Sequence, residues 1–184
     1  DSKDSKTWKC IQTLEGHTEW VNSVAWNSQG TLLASGSVDK TIKIWDTKSW
    51  KCVQTLEGHT SYVYSVAWNS QGTQLASGPR DRTIKIWDTT SWNCIQTLEG
   101  HTHYVRSVAW NSNGTLLASG SRGKTIRIWD TKSWTCTQTL EGHTSVVYSV
   151  AWNSQGKLAS GAWDGTIKIW DSNTWTCIHT LTVH

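Results

Sequence analysis

The chain has 184 residues, and its 17 Lys or Arg against 14 Asp or Glu give a formal net charge of +3. This small surplus, with no cluster of basic side chains, is not the footprint of a nucleic-acid-binding protein. No apolar run reaches membrane-spanning length, and no cationic, apolar leader is present. We therefore expect neither a nucleic-acid partner nor a membrane. The chain has no Met and begins at Asp1, so we expect an incomplete translation product, which leaves open a removed leader, tag or upstream region.

In chain order, the first four segments with strand character are residues 8–14, 20–26, 32–36 and 41–45, which we call d, a, b and c. β-branched and aromatic residues fill them, and turn sequences such as NSQG and DTKS separate them. No stretch shows helical signals, so the sequence predicts an all-β fold.

The stretch from Gly16 to Asp46 returns at residues 58–88, 100–130 and 142–171. Its Gly-His pairs recur every 42 residues, and its Trp-Asp pairs recur after 42, 42 and 41 residues. Self-similarity at a fixed period of this size indicates a repeat architecture. Each repeat predicts one small antiparallel sheet.

A Gly-His opening, a Trp-Asp close and a period in the low forties resemble the WD-repeat family of β-propellers, over nearly the whole chain. The resemblance implies four four-stranded antiparallel blades, with segment d forming the outer strand of the preceding blade. It implies one propeller unit over residues 1–184, with repeats at about 15–56, 57–98, 99–140 and 141–181, and an extra outer strand at 7–14.

The number of blades in the chain predicts that it assembles with a second copy. Propellers have roughly four to eight blades, and rings of the WD-repeat family usually have seven or so, so these blades have the wrong wedge angle for a ring of four. Val24 and Trp26, like their copies Val66 and Trp68, should pack between blades. We therefore predict a homodimer that forms one eight-bladed ring.

Outer-strand candidates occur five times, although the chain has only four blades. Residues 7–14 and 175–181 therefore compete for the last blade, or the chain belongs to a longer array.

The direction of the chain through antiparallel strands sorts the loops into two groups. The d–a and b–c loops lie at one end of a blade, and the a–b and c–d loops lie at the other. The second end is nearly constant between copies, whereas the first changes in TEWVN, TSYVY, THYVR and TSVVY and in SVDK, PRDR, SRGK and AWDG. We call the first the variable end. It is rich in Trp, Tyr and Arg, the residue types that carry interface energy, although drift in exposed loops is the alternative. The predicted partner-binding residues are Trp20, Asn22, Tyr62, Tyr64, Arg80, Tyr104, Arg106, Arg122, Tyr148 and Trp163.

Ser, His and Asp recur in the repeats, which suggests a hydrolase. A serine triad needs one exposed nucleophile with an oxyanion hole, and four such sites in one small chain would be odd. The family resemblance instead implies a structural tetrad, a buried hydrogen-bonded chain of Asp, His, Ser and Trp, so we predict no catalytic residue. Gly123 replaces the third Asp, so His101 should lose its carboxylate partner. The tetrad residues are His17, Ser35, Asp39 and Trp45; His59, Ser77, Asp81 and Trp87; His101, Ser119 and Trp129; and His143, Ser160, Asp164 and Trp170.

The five cysteines also follow the repeat, at Cys10, Cys52, Cys94, Cys136 and Cys177. Equivalent positions on successive blades are too far apart for disulfides, so we predict reduced, partly buried thiols and a reducing compartment, the cytoplasm. No paired ligand spacing occurs, so we predict no metal and no cofactor.

These observations predict a non-enzymatic scaffold that binds a protein or peptide at the variable end. One alternative is a self-assembling structural oligomer, natural or engineered, without a specific ligand. Another is a carbohydrate-binding propeller that uses its repeated tryptophans. The similarity of the copies also resembles recently amplified WD-repeat arrays of bacterial and fungal proteins, including nucleotide-dependent receptors whose repeats sense ligands.

Overall fold

The computed structural model describes residues 7–182, and this part of the chain contains strands and no helix. Each run of four successive strands forms one blade, and we number the blades one to four in chain order. The strands are β1 (Val21–Trp26), β2 (Leu32–Ser37), β3 (Ile42–Asp46), β4 (Cys52–Leu56), β5 (Val63–Trp68), β6 (Gln74–Pro79), β7 (Ile84–Asp88), β8 (Cys94–Leu98), β9 (Val105–Trp110), β10 (Leu116–Ser121), β11 (Ile126–Asp130), β12 (Cys136–Leu140), β13 (Val147–Trp152), β14 (Lys157–Ala162), β15 (Thr166–Asp171) and β16 (Cys177–Thr182).

Each blade is a four-stranded antiparallel sheet whose strands pair in chain order. The prediction of an all-β fold built from four such sheets is confirmed, and the arrangement is consistent with a β-propeller. The third strands follow the period of two: Ile42 and Ile44 are fully buried, and Lys43 between them is partly exposed.

The constant NSQG loops are set by the side chain of their Asn. Asn27 Oδ1 accepts hydrogen bonds from the backbone N–H groups of Thr31 at 2.9 Å and Leu32 at 3.1 Å. The loop also needs a left-handed residue, and Gly30 supplies it with a φ of 70°. The turn residues therefore fix where β1 ends and β2 begins.

Neighbouring blades are joined by one repeated set of contacts. At the first seam, Trp68 Nε1 donates to Ala25 O at 2.9 Å, and the Val66 N–H donates to Ser23 Oγ at 3.2 Å. Gly36 leaves room for the valines of the next blade, because a Cβ there would lie 2.7 Å from Val63 Cγ1. The same contacts recur at the second and third seams. The core therefore lies mainly between blades.

The fourth seam is missing, so the four blades form an open arc. Inner strands β1, β5, β9 and β13 pack in succession, but within residues 7–182 no comparable packing joins β13 to β1. Val24 is 63% exposed, whereas its copy Val66 is 5% exposed. Leu181 on blade four is 52% exposed, against 4% for Leu56. The expected packing between blades is present for Val66 and Trp68, whereas Val24 and Trp26 pack against no neighbouring blade within residues 7–182.

The predicted outer strand at residues 7–14 was wrong. This segment forms no strand, and Trp8 is 99% exposed. An outer strand pairs with the third strand of the preceding blade, and the described chain offers none to residues 7–14. The last blade is completed by β16.

The outer strand β16 begins at Cys177, two residues after the predicted start at residue 175, and β4 begins at the equivalent Cys52. Trp50 has a φ of 56° and belongs to the turn, where its ring meets Trp26 edge to face at 6.3 Å. The predicted partial burial of the thiols holds for Cys136 but was wrong for the other four, which are exposed. Three of these four lie on outer strands, which face solvent. All five are free thiols.

Within the described part of the chain, no helix has the length and apolar character to cross a membrane. Residues 7–182 also contain no group of three or more His, Cys, Asp or Glu side chains placed to hold a metal ion.

Candidate functional site

Two adjoining depressions lie at the variable end, and Tyr64 and Arg106 line both. Their volumes are about 410 Å³ and 260 Å³. All ten predicted partner-binding residues line one or the other. The first contains Trp20, Asn22, Val38, Tyr62, Tyr64, Arg106 and Tyr148, and the second Tyr64, Arg80, Tyr104, Arg106, Arg122, Val146 and Trp163.

Backbone hydrogen bonds tie the two variable loops of each blade together. The Arg80 N–H donates to Tyr62 O at 2.8 Å, and the Arg122 N–H donates to Tyr104 O at 2.9 Å. Blades one and four have the same bond, as in Trp163 N–H to Val146 O at 2.9 Å. The varied side chains therefore project from positions that the scaffold fixes.

Arginine and tyrosine side chains interleave across the blades. The Arg80 guanidinium carbon lies 5.0 Å from the Tyr62 ring centroid and 4.7 Å from that of Tyr104, and Arg80 Nη2 donates to the Tyr104 hydroxyl at 3.1 Å. This bond and the Arg80 charge hold the pKa of Tyr104 below its usual value. Arg106 lies 4.3 Å from the Tyr64 ring centroid. Such cation–π contacts order the long arginines before any partner binds.

The lining of this end is basic. A third depression of about 400 Å³ is lined by Arg82, Thr102, His103, Tyr104 and Arg122. Sequence analysis missed Arg82 and His103, although both lie in the variable loops. No Asp or Glu lines any of these three depressions in the described chain. An acidic group would therefore meet cations and hydroxyls but no like charge.

Three predicted binding residues differ from the others in how free their side chains are. Asn22 Nδ2 donates to Val63 O at 3.1 Å across the first seam, so its amide already joins two blades. Trp20 is 80% exposed and Trp163 is 64% exposed.

The tetrad residues of blade one form a continuous hydrogen-bonded chain. Trp45 Nε1 donates to Ser35 Oγ at 2.9 Å, Ser35 Oγ lies 2.6 Å from His17 Nε2, and His17 Nδ1 lies 2.7 Å from Asp39 Oδ2. A carboxylate only accepts, so a neutral His17 carries its proton on Nδ1 and the Ser35 hydroxyl donates to Nε2. Blades two and four repeat the chain, with all corresponding distances between 2.6 and 3.2 Å. The serine hydroxyl is thus engaged on both sides.

Threonines complete the environment of the acid, and sequence analysis missed them. The Thr41 hydroxyl donates to Asp39 Oδ1 at 2.6 Å, and the N–H groups of Thr41 and Thr18 donate to the same carboxylate at 2.9 and 3.2 Å. Burial would raise the pKa of Asp39, but the bonds from Thr41 and His17 lower it to about 2. The recurring Thr two residues after each Asp was the available signal.

Blade three lacks the acid. Trp129, Ser119 and His101 keep their bonds at 2.9 and 2.6 Å, but His101 Nδ1 is buried without a hydrogen-bond partner. Burial, helped by the charge of Arg127, lowers the pKa of His101 to about 3. His101 is therefore a neutral donor or acceptor with one side unsatisfied.

Known proteins resemble single repeats of this chain. The vegetative incompatibility protein HET-E-1 of Podospora anserina is 65% identical over 37 residues, 20% of this chain and 3% of that protein. THO complex subunit 3 of Arabidopsis thaliana is 66% identical over 32 residues, 17% of this chain and 10% of that protein. The protein transport protein sec13 of Aspergillus clavatus is 49% identical over 45 residues, 23% and 15% of the respective chains. Each match covers a small part of both proteins.

The family model "WD domain, G-beta repeat" matches well over half of the chain, at residues 8–46, 50–88, 92–130 and 134–171. Together with the four sheets and the recurring Gly-His and Trp-Asp pairs, this match shows that the chain belongs to the WD-repeat family.

Proposed function

We propose that the chain is a non-enzymatic scaffold that binds a protein or peptide at its variable end. The observation that supports this most is that the varied Trp, Tyr and Arg side chains meet in two adjoining depressions above a repeated framework. Such residues dominate binding energy when a partner desolvates them. Two relatives have names that place them in protein transport and in a multi-subunit complex.

A carbohydrate-binding propeller receives less support. Its sugar-stacking platforms would be the repeated tryptophans, but Trp50 and Trp92 pack edge to face against Trp26 and Trp68 at 6.3 and 6.1 Å. A ring already packed in this way has less free face to offer a sugar. A glycan array would test this alternative directly.

We propose that residues 1–184 act as one unit in a reducing compartment, the cytoplasm. The five free thiols support the compartment, because exposed cysteines persist where thiols stay reduced. The repeats at about 15–56, 57–98, 99–140 and 141–181 would act together, because each seam buries residues of two successive blades.

The binding proposal is tested with peptides selected from a displayed random library on the intact protein. Tyr62→Ala, Tyr104→Ala and Arg106→Ala should each weaken the selected peptides, with losses of about 2 kcal/mol where the residue is a hot spot. Lys48→Ala and Lys132→Ala change exposed side chains at the constant end and serve as matched controls. They should leave the peptide affinity measured by titration calorimetry unchanged. Affinity that ignores the first set but falls with Trp50→Ala or Trp92→Ala would place the site at the opposite end.

We also propose that two copies close one eight-bladed ring, because the two open ends are complementary. The first blade presents the N–H of Val24 and Nε1 of Trp26, the donors that Val66 and Trp68 use at the first seam. In the described chain, no acceptor equivalent to Ser23 Oγ or Ala25 O pairs with these two donors.

The last blade presents the matching half. Ser149 Oγ and Ala151 O are the copies of the acceptors used at the inner seams. A Cβ at Gly161 would meet only the Tyr148 side chain, at 3.6 Å, whereas Gly78 faces Val105 Cγ1 at 2.9 Å. A second copy would bring its Val21 and Val24 against Gly161, and closed symmetry would then cover every apolar face.

Alanine at two equivalent glycines separates folding from assembly. Gly78→Ala overpacks an inner seam and should destabilise each chain by about 1–3 kcal/mol. Gly161→Ala meets no neighbouring blade within the chain, so it should leave the melting temperature of a dilute monomer nearly unchanged but abolish dimerisation in light scattering. Wild-type protein that is monomeric at micromolar concentration, or an open polymer, would contradict the ring.

A further inference from the structure

Blade three keeps the donors of a carboxylate site but not the carboxylate. In blade two, Asp81 Oδ1 accepts from the Thr83 N–H and hydroxyl at 3.1 and 2.6 Å. Its Oδ2 accepts from the Thr60 N–H at 2.9 Å and lies 3.2 Å from His59 Nδ1. Blades one and four use the same four donors.

All four donors are present again around Gly123. They are the N–H of Thr102, the N–H and hydroxyl of Thr125, and Nδ1 of His101. None of them forms a hydrogen bond to any other described residue. His101 is 7% exposed, and its unpartnered Nδ1 faces the position that the missing carboxylate has in the sister blades. We call this group of donors the Gly123 notch.

We propose that the Gly123 notch binds the carboxylate of an Asp or Glu side chain supplied by a partner protein or peptide. A carboxylate fits the donors better than a phosphate does, because they form two pairs for two coplanar oxygens, as the sister blades show. The incoming group would complete the hydrogen-bonded chain of Ser119 and Trp129 through His101.

The surroundings of the notch favour an anion. The third depression opens beside it, with Arg82 and Arg122 in its lining, and Arg82 Nη1 donates to the carbonyl of Thr102 at 3.4 Å. His103 stands next to the position of the missing side chain, since its Cδ2 would lie 3.1 Å from a Cβ at Gly123. The His103 side chain is exposed and can turn aside, so it does not block entry.

This inference rests on the proposed function, because it names the chemistry that one part of the variable end recognises. An Asp at position 123 would fill the notch with the chain's own carboxylate, whereas Gly123 leaves the donors free for the carboxylate of a partner.

Acetate is the probe that tests the notch without any partner. We expect sodium acetate to raise the melting temperature of the wild-type protein by a few degrees over sodium chloride at equal ionic strength, as a ligand of the folded state does. Gly123→Asp supplies its own carboxylate and should abolish this difference. Acetate should also shift the Nδ1 resonance of His101 in the wild type. Equal responses of wild type and Gly123→Asp, or an unperturbed His101, would overturn the proposal.

Asp81→Gly is the matched variant, because it opens the same notch in blade two. It should melt lower than wild type and should regain more stability in acetate than wild type does. Asp81→Gly that acetate fails to rescue would mean that a free carboxylate cannot use these donors, and the proposal would fall.

A peptide-binding experiment distinguishes recognition of an acidic side chain from recognition of a free small acid. Among peptides selected on the wild-type protein, replacing one Asp or Glu by Asn or Gln should lower affinity at least tenfold. The same replacement should change little on Gly123→Asp. Selected peptides that bind through Tyr62 and Arg106 but show no such acidic position would overturn the notch and leave the proposed function standing.

Discussion

Gly123 is the one departure from an otherwise repeated hydrogen-bonded chain. Its φ lies outside the left-handed region, so the backbone accepts a side chain. The nearest atom to an added Cβ belongs to His103, an exposed side chain that can move by a few tenths of an ångström. The cost of losing the acid is an unsatisfied His101, a buried polar group of the kind that proteins rarely leave unpaired.

We predict that Gly123→Asp stabilises the protein by about 1 kcal/mol, because it satisfies His101 Nδ1 and the Thr125 hydroxyl. Asp81→Ala should destabilise blade two by at least as much, since it leaves the same donors without an acceptor. Chemical denaturation of the two variants and wild type measures both effects. Gly123→Ala is the control, and a gain as large as that of Gly123→Asp would show that backbone entropy is the cause.

The lowered pKa of His101 predicts that the free energy of unfolding depends on pH. Its pKa is about 3 in the fold, against about 6.5 in the unfolded chain, so between these values the unfolded chain binds a proton that the folded chain does not. Stability contributed by neutral His101 is therefore complete above about pH 6.5 and is lost as the pH falls towards 3, at up to about 1.4 kcal/mol per unit.

In Gly123→Asp, a carboxylate would stabilise the protonated imidazole, so its stability should fall less steeply than that of wild type between pH 6.5 and 4. The other histidines contribute equally to both proteins and cancel in the comparison. Parallel curves of unfolding free energy against pH would contradict the assignment of the slope to His101. Below about pH 4, loss of the depressed carboxylates, including Asp39 with its pKa of about 2, should destabilise both proteins.

At the scale of elements, the seam between blades is the repeated unit of cohesion. Each seam joins the first and second strands of one blade to the inner strand of the next, as Ser23, Gly36 and Val63 show at the first seam. The hydrogen bonds that cross it set the register of one sheet on another. Apolar packing supplies most of the energy, and these bonds fix its geometry.

Trp68→Phe should cost about 1 kcal/mol of unfolding free energy beyond its loss of apolar area, because it leaves Ala25 O without the indole donor across the first seam. Trp26→Phe is the matched variant: its indole donates across no seam of the described chain, so the monomer should not suffer this loss. Denaturation at low protein concentration compares the two. A cost of Trp68→Phe no larger than its lost apolar area accounts for would show that the hydrogen bond adds nothing to the seam.

At the scale of the whole molecule, four blades leave two apolar faces uncovered. Val24 and Trp26 are 63% and 56% exposed on one face, and Ile167 and Leu181 are 39% and 52% exposed on the other. Exposed apolar surface of this kind marks an interaction site. The two faces carry the two halves of one seam, which is why we propose ring closure by a second copy.

If two copies close the ring, the melting temperature must rise with protein concentration, since assembly stabilises only the folded chain. Trp26→Phe should weaken this dependence, because in the dimer its indole would donate to Ala151 O of the second copy. Scanning calorimetry over a hundredfold range of concentration measures it. A melting temperature independent of concentration, together with a monomer mass, would contradict the assembly.

The sequence by itself determined the repeat, the all-β fold and the end at which the varied side chains gather. Apart from residues 7–14, which form no strand, it also determined the predicted strand positions to within about two residues. These follow from local pattern: turn residues, alternation and the direction of successive strands. The His, Ser, Asp and Trp of each repeat could be grouped for the same reason, as could the missing acid at Gly123.

Only the tertiary structure decided which chemically identical positions differ. Val24 and Val66 have the same local sequence, yet one is exposed and the other buried, because burial depends on whether a neighbouring blade exists. Residues 7–14 and 177–182 have similar sequences, but only the second segment has a third strand to pair with. The donors around Gly123, the Arg80–Tyr104 contact and the seam bond of Asn22 likewise arise between segments distant in sequence, where no local pattern records them.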